Sequence, residues 1–233
     1  MSLIIIPLAG PDFYTEKFGI RPLYPLGDST LIEHVISTRF WVKHTDEGNQ
    51  IVFVLLDVGA PTKTMQDFIA KKFPTAHCVV LGNVSSGAPF SALAGLALSK
   101  QLTTPVIVDL ADIGFSLSLN VEAYFANHPK VMGLIPYFES RSPKFSYLQI
   151  EGGKVLEARE KEVISNHASA GVYIFRNVQA YLEAILFAMR NPSKCTVNNL
   201  FYVCPIFNGL ISDHQEVHAI AVDHVEPLSQ LFH

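Results

Sequence analysis

The chain has 233 residues, 49% of them apolar and 16% charged, so it carries enough apolar side chain to bury a core and too little charge to stay disordered. A formal charge of −4 leaves no broad basic footprint, which excludes the phosphate-binding surface of a DNA- or RNA-binding protein. Three widely spaced cysteines, Cys78, Cys195 and Cys204, form neither a disulfide framework nor a CxxC or Cys/His zinc pattern, and fit a reduced, cytoplasmic setting.

The first element is the apolar run at 3–6, too short for a signal-peptide core and stopped by Pro7, which reads as a buried strand. No stretch approaches the roughly 20 apolar residues of a transmembrane helix, so no membrane span is expected. Further β-rich runs follow at 51–56, 78–81, 106–109 and 131–136. Between them, 31–40, 64–73, 89–99 and 121–127 carry apolar residues at helical spacing, and Ser29 or Thr30 can cap the first. Continuous apolar strands alternating with helices predict a parallel sheet covered on both faces.

After Tyr137 the rhythm changes. Segments 145–150 and 155–158 flank Gly152-Gly153 as an antiparallel hairpin, 170–175 is another strand, and 178–189 is a helix. The expected fold is α/β: a Rossmann-like, mostly parallel mixed sheet with helices on both faces and a small antiparallel extension. With no linker or internal repeat, residues 1–233 are expected to form a single domain.

In such sheets ligands gather at the carboxyl ends of the strands. Three loops there carry chemistry. Leu8-Ala9-Gly10 lets a backbone approach a ligand, and Lys17 and Arg21 downstream can neutralise phosphate oxygens, although an Ala-Gly after a strand also suits a plain tight turn. The stretch 82–88, with Gly87, feeds a helix start whose free N–H groups suit an anion or a base edge. Asp109 and Asp112 end the fourth strand, where a carboxylate can hold Mg²⁺ or cap a turn. The nine histidines, His34, His44, His214, His218 and His224 among them, lack ligand spacing and read as isolated side chains. Tyr173 and Phe175 alternate along a strand and read as packing.

Taken in order, these pieces resemble the sugar nucleotidyltransferase family. Its opening Leu-Ala-Gly-Gly-x-Gly-Thr-Arg and Lys-Pro are matched by Leu8-Ala9-Gly10 and Arg21-Pro22-Leu23, followed by Leu31-Ile32-Glu33-His34-Val35. Its metal-binding Asp after the fourth strand is matched by Asp112. Its Glu-Lys before a Gly-x-Tyr strand is matched by Glu160-Lys161 and Gly171-Val172-Tyr173, and its C-terminal Asp-x-Gly-Thr-Pro by Asp223-His224-Val225-Glu226-Pro227.

The resemblance implies transfer of a nucleoside monophosphate from a triphosphate to a sugar phosphate or similar ester, with pyrophosphate release, as in capsule or surface-polysaccharide precursor synthesis. It implies Arg21, Asp112, Lys161 and Asp223 as catalytic residues, and Mg²⁺ on Asp112 and Asp223. Leu8, Ala9, Gly10, Lys17 and Gly87 would hold the nucleotide, and Glu160, Lys161 and Gly171 the acceptor. Lys161 also lies in the mixed run 159–162, which suits a solvated face.

The departures are confined to a few positions. Pro11-Asp12-Phe13-Tyr14 replaces the family's Gly-x-Gly-Thr-Arg, and Asp12 brings a negative charge towards the triphosphate unless Lys17 or the metal offsets it. Arg21 replaces a lysine, and Asp223 keeps its place without the Gly and Thr. A second reading therefore stands beside the first: a relative that binds a nucleotide or sugar phosphate without turnover. A third is a metal-dependent glycosyltransferase, whose Asp-x-Asp is here the wider Asp109/Asp112 pair. A homo-oligomer is left open, and an NAD-dependent dehydrogenase is set aside because no Gly-x-Gly-x-x-Gly follows the first strand.

Overall fold

The computed structural model describes residues 1–42 and 48–232. His44 lies outside the described residues.

Ten strands make the main sheet: β1 (Leu3–Leu8), β2 (Gln50–Leu56), β3 (His77–Leu81), β4 (Val106–Asp109), β5 (Val131–Glu139), β6 (Ser146–Glu151), β7 (Lys154–Glu160), β8 (His167–Ser169), β9 (Val172–Phe175) and β10 (Glu216–Ala221). Their order is β8-β6-β7-β10-β5-β9-β4-β1-β2-β3, with β8 also pairing β5. The run β4-β1-β2-β3 is parallel, as its apolar strands predict, and β10 is parallel to β5. β9 enters antiparallel to both neighbours, between β4 and β5. The expected antiparallel extension is β6, β7 and β8 at the edge of the sheet, whereas β9 and β10 lie inside it, and β10 has no counterpart in the sequence reading.

The helices are α1 (Leu31–Ser37), α2 (Ala60–Lys72), α3 (Ala88–Leu96), α4 (Val121–Asn127), α5 (Val178–Arg190) and the short α6 (Pro192–Cys195), α7 (Val203–Ile206) and α8 (Asn208–Ser212). Thr30 caps α1 reciprocally with Glu33, a capping box. α1 stops three residues short of the expected 40, because the chain turns there to bury Arg39, Phe40 and Trp41. α2 starts four residues earlier than its apolar pattern, with a proline in its first turn where no N–H is needed.

Side chains alternate across a strand, so each helix contact identifies a face. A Cβ on Gly95 of α3 would stand 2.8 Å from Ile5 and 3.2 Å from Val54, so α3 packs on the Ile5 face with no room to spare. The other face carries Phe53, whose ring is 5.4 Å from Phe73 at the end of α2. Phe175 shares the α3 face through the Leu3, Val106 and Phe175 register, and it meets Tyr181 of α5 and Phe207 beyond α7 at 4.9 and 4.3 Å. Gly133 supplies the space for Phe207, since a Cβ there would be 2.5 Å from the ring. Tyr181 donates its hydroxyl to the Pro89 carbonyl at 2.6 Å, tying α5 to α3. Among the described residues no helix is long and apolar enough to cross a membrane.

Candidate active site

The carboxyl ends of β1 and β4 open into one cleft with two chambers. The larger, about 350 Å³, is walled by the loop after β1, the loop before α3, and the tight hairpin 196–201. The smaller, about 240 Å³, is walled by β6, β7, β8, β9 and the last turn of the chain. Asp12, Arg21, Ala88, Leu110, Asp112 and Tyr202 belong to both.

The first loop is short and pinned at each end. Phe13 N–H donates to the Gly10 carbonyl at 3.1 Å, Arg21 N–H donates to the Phe13 carbonyl at 3.0 Å, and the Phe13 side chain is buried. Arg21 itself opens a 3₁₀ turn, Arg21–Leu23, with Pro22 in its first turn. The guanidinium forms an ion pair with Asp12 and lies 4.8 Å over the ring of Phe232. Phe232 is itself held edge-on by Phe18 and Tyr24. Burial works against the charge of Arg21 and nearby Asp112 favours it.

Asp109 and Asp112 have different jobs. Asp109 is fully buried and accepts from Arg39 Nε at 2.5 Å, Arg39 Nη2 at 2.9 Å, Trp41 Nε1 at 3.1 Å and Ala111 N–H at 2.9 Å. Four donors and a left-handed Ala111, at φ 53°, bend the chain out of β4 and turn Asp112 into the cleft. Leu110 N–H donates to the Gly171 carbonyl at 2.9 Å, and Ser229 N–H to the Asp112 carbonyl at 2.9 Å. The Asp112 carboxylate keeps one oxygen, Oδ1, buried and without a hydrogen-bond partner. Burial raises its affinity for a proton, against the pull of Arg21 and Arg39, while Asp109 adds to the rise. A secluded oxygen with no donor is what a hard cation would complete, and Mg²⁺ characteristically takes one or two carboxylates and draws its other ligands from water and phosphate.

In the smaller chamber Glu160 accepts a short hydrogen bond from Ser146 Oγ, and burial pushes its carboxyl up to about 7, opposed by Ser146 and Lys161 and reinforced by Asp112. Lys161, at φ 55°, lays its ammonium over the Tyr202 ring at 5.3 Å and 3.3 Å from the hydroxyl. Ser169 Oγ donates to Tyr173 Oη at 3.0 Å, and burial drives that phenol well above its ordinary range.

The structure therefore gathers Leu8, Ala9, Gly10, Arg21, Gly87, Asp112, Glu160, Lys161 and Gly171 around one cleft. It does not bring Lys17 or Asp223 there. Lys17 is exposed, with its ammonium 4.5 Å over Phe18. Asp223 is exposed on the short strand 223–226, which pairs antiparallel with 114–116 and sets it opposite Ser116, and it lines neither chamber. Among the described residues no three His, Cys, Asp or Glu side chains converge as a metal cluster.

Sequence reading missed Ser146, Ser169 and Tyr202, and it missed the hairpin. That hairpin had a local signal: Asn198 and Asn199 both take positive φ, the turn an Asn pair favours. The Gly87 backbone bridges Phe201, and a Cβ on Gly87, at φ 130°, would lie 2.2 Å from the Phe201 carbonyl oxygen.

The same architecture is found in solved structures. A nucleoside-diphosphate-sugar pyrophosphorylase from Vibrio cholerae superposes with a TM-score of 0.77 at 21% identity, over 95% of this chain and 93% of that one. This is the sugar nucleotidyltransferase fold. A Bacillus anthracis protein assigned as a glucose-1-phosphate thymidylyltransferase, solved with sucrose, gives 0.72 at 16% identity over 97% and 89% of the two chains. The inositol-1-phosphate CTP transferase from T. maritima gives 0.68 at 10% identity over 97% and 87%. No protein-family model and no curated protein matches the sequence.

Proposed function

We propose that this protein transfers a nucleoside monophosphate from a nucleoside triphosphate to a sugar phosphate or similar phosphate ester. The reading is supported by the pair of chambers that share Asp112 and Arg21, a carboxylate and a guanidinium lining both cavities. The fold supports it, since the solved proteins that share the fold are named for pyrophosphorylase or nucleotide transfer chemistry.

The larger chamber takes the triphosphate. Leu8, Ala9, Gly10 and Gly87 line it with backbone and apolar surface, and Arg21 faces the phosphates. The smaller chamber takes the acceptor: Lys161 grips its phosphate, while Glu160 and the Gly171 backbone meet its hydroxyls. An acceptor phosphate oxygen attacks the α-phosphorus, the bond from the α-phosphorus to the bridging oxygen breaks, and its electron pair leaves with pyrophosphate. The attacking oxygen is already anionic, so no strong base is required, and catalysis comes from alignment and charge neutralisation. Asp112, with its unpartnered buried Oδ1, would hold Mg²⁺, which would supply charge stabilisation at the α-phosphate. Asp223 would serve as a second ligand only by way of a rearrangement of the strand 223–226. A cytoplasmic role in making precursors of a capsule or surface polysaccharide fits this chemistry.

One observation favours a second reading, a nucleotide- or sugar-phosphate-binding protein without turnover: Arg21 is already paired with Asp12. A thermal-shift panel of CTP, UTP, dTTP, ATP and GTP, each with and without Mg²⁺, tests binding, because a ligand selective for the native state raises its apparent stability. A Mg²⁺-dependent shift with one triphosphate supports the larger chamber as its site. No shift with any of them removes the nucleotide from the account.

A further inference from the structure

We infer that Asp12 is a specificity-determining residue of the larger chamber, one that makes the site select metal-complexed polyphosphate and reject the metal-free anion. The inference rests on the proposed reading of that chamber as a polyphosphate site and adds to it a role for a residue that departs from the family pattern.

Among the described residues lining the larger chamber, Arg21 is the only lysine or arginine. Its charge is matched within the loop: Asp12 and Arg21 form an ion pair, and both line the chamber. The pairing is built into the backbone. Gly10 and Phe13 close the turn that holds Asp12, and Phe13 in turn fixes Arg21, so the two partners ride on one hydrogen-bonded loop. A Cβ on Gly10 would sit 2.7 Å from Asp12 Oδ1, so the absence of a side chain there is what admits the carboxylate. Phe232 covers the guanidinium from another side, limiting where it can turn.

The consequence is electrostatic. A free polyphosphate entering this chamber meets one guanidinium whose charge is already compensated, together with a second carboxylate, Asp112. Binding then requires displacing Asp12 from Arg21 and leaving an anion beside two carboxylates, an arrangement disfavoured by like-charge repulsion. A polyphosphate that arrives with a divalent cation carries compensating positive charge for both. Asp12 thus penalises the free anion more than the metal complex.

The test is calorimetric titration of the full chain with inorganic pyrophosphate, in EDTA and in Mg²⁺, comparing the unmodified protein with Asp12→Ala and Arg21→Gln. Asp12 is 58% exposed, so its removal is compatible with folding, which circular dichroism checks. Asp12→Ala is expected to bind pyrophosphate about tenfold more tightly in EDTA and to change much less in Mg²⁺. Arg21→Gln is expected to weaken binding in both. Equal or weaker binding by Asp12→Ala in EDTA, equal gains with and without Mg²⁺, or unchanged binding by Arg21→Gln overturns the inference. Parallel titrations with the five triphosphates separate it from the reading beneath it. If Asp12→Ala gains pyrophosphate affinity while no triphosphate binds either protein, the nucleotide reading fails and the role of Asp12 stands. If a triphosphate binds and Asp12→Ala changes nothing, the reverse holds.

Discussion

Gly171 and Asp112 are fitted to one another where the start of β9 meets the end of β4. Gly171 takes φ 75°, and a Cβ there would stand 3.1 Å from Asp112 Oδ1, the oxygen that has no hydrogen-bond partner. Gly171→Ala is therefore expected to cost about 1–2 kcal/mol in backbone strain and to displace the carboxylate as well. Chemical denaturation reads the first effect. A fall in any Mg²⁺-induced thermal shift, beyond what the stability loss accounts for, reads the second.

Asp112→Asn separates fold from chemistry. The carboxylate is buried against its own desolvation, so the neutral amide is expected to fold with undiminished stability while transfer falls at least about a hundredfold. Activity that survives the substitution contradicts the role given to Asp112.

Glu160 predicts a pH dependence of stability. Its folded pKa of about 7 lies above the ordinary value of 4.5, so the folded state holds the proton more tightly than the unfolded state does. The stabilisation is full below about pH 4.5 and is lost as pH rises through about 7. Glu160→Gln removes this slope. Melting temperatures across pH 5–8 are expected to fall more for the unmodified protein than for the variant, and parallel curves would remove Glu160 as a buried acid.

The buried Arg39–Asp109 pair predicts a large effect away from any ligand. Asp109→Ala leaves Arg39 buried without its carboxylate, and such losses cost about 3–5 kcal/mol. A loss of unfolding free energy, from urea denaturation, of less than a third of that would show that water or another group replaces Asp109.

Gly87→Ala tests the hairpin wall. The new methyl would overlap the Phe201 carbonyl, so hairpin 196–201 must move away from the loop before α3. Increased proteolysis within 196–201 is the expected outcome, along with a stability loss of about 2 kcal/mol or more.

The parallel half of the sheet was legible because buried strands carry unbroken apolar runs, as in Ile4-Ile5-Ile6 and Val52-Phe53-Val54. The interior placement of β9 was not, because strand order depends on long-range pairing that no local pattern encodes. β10 went unseen since His218 breaks the continuous apolar run and the flanking Ala219 and Ala221 are weak strand formers, and that histidine meets the Tyr124 hydroxyl at 2.9 Å. Most of the cleft followed from motifs at strand ends, as with Asp112 and Glu160-Lys161. Asp12 was legible as an unwelcome charge, but the partner expected to offset it was Lys17 or a metal. The loop hydrogen bonds bring Arg21 to it instead. Asp223 matched by spacing, yet spacing does not say which side of a strand pair faces the cleft.

Nucleotidyl transfer at the junction of the two chambers is the proposed activity on which the site roles depend. Pyrophosphate release, measured with each triphosphate in turn against a panel of sugar 1-phosphates in Mg²⁺, tests it most directly. Release is expected to require both substrates and Mg²⁺ and to disappear in Asp112→Asn. Binding of a triphosphate with no release from any pairing would contradict transfer and establish the non-catalytic reading in its place.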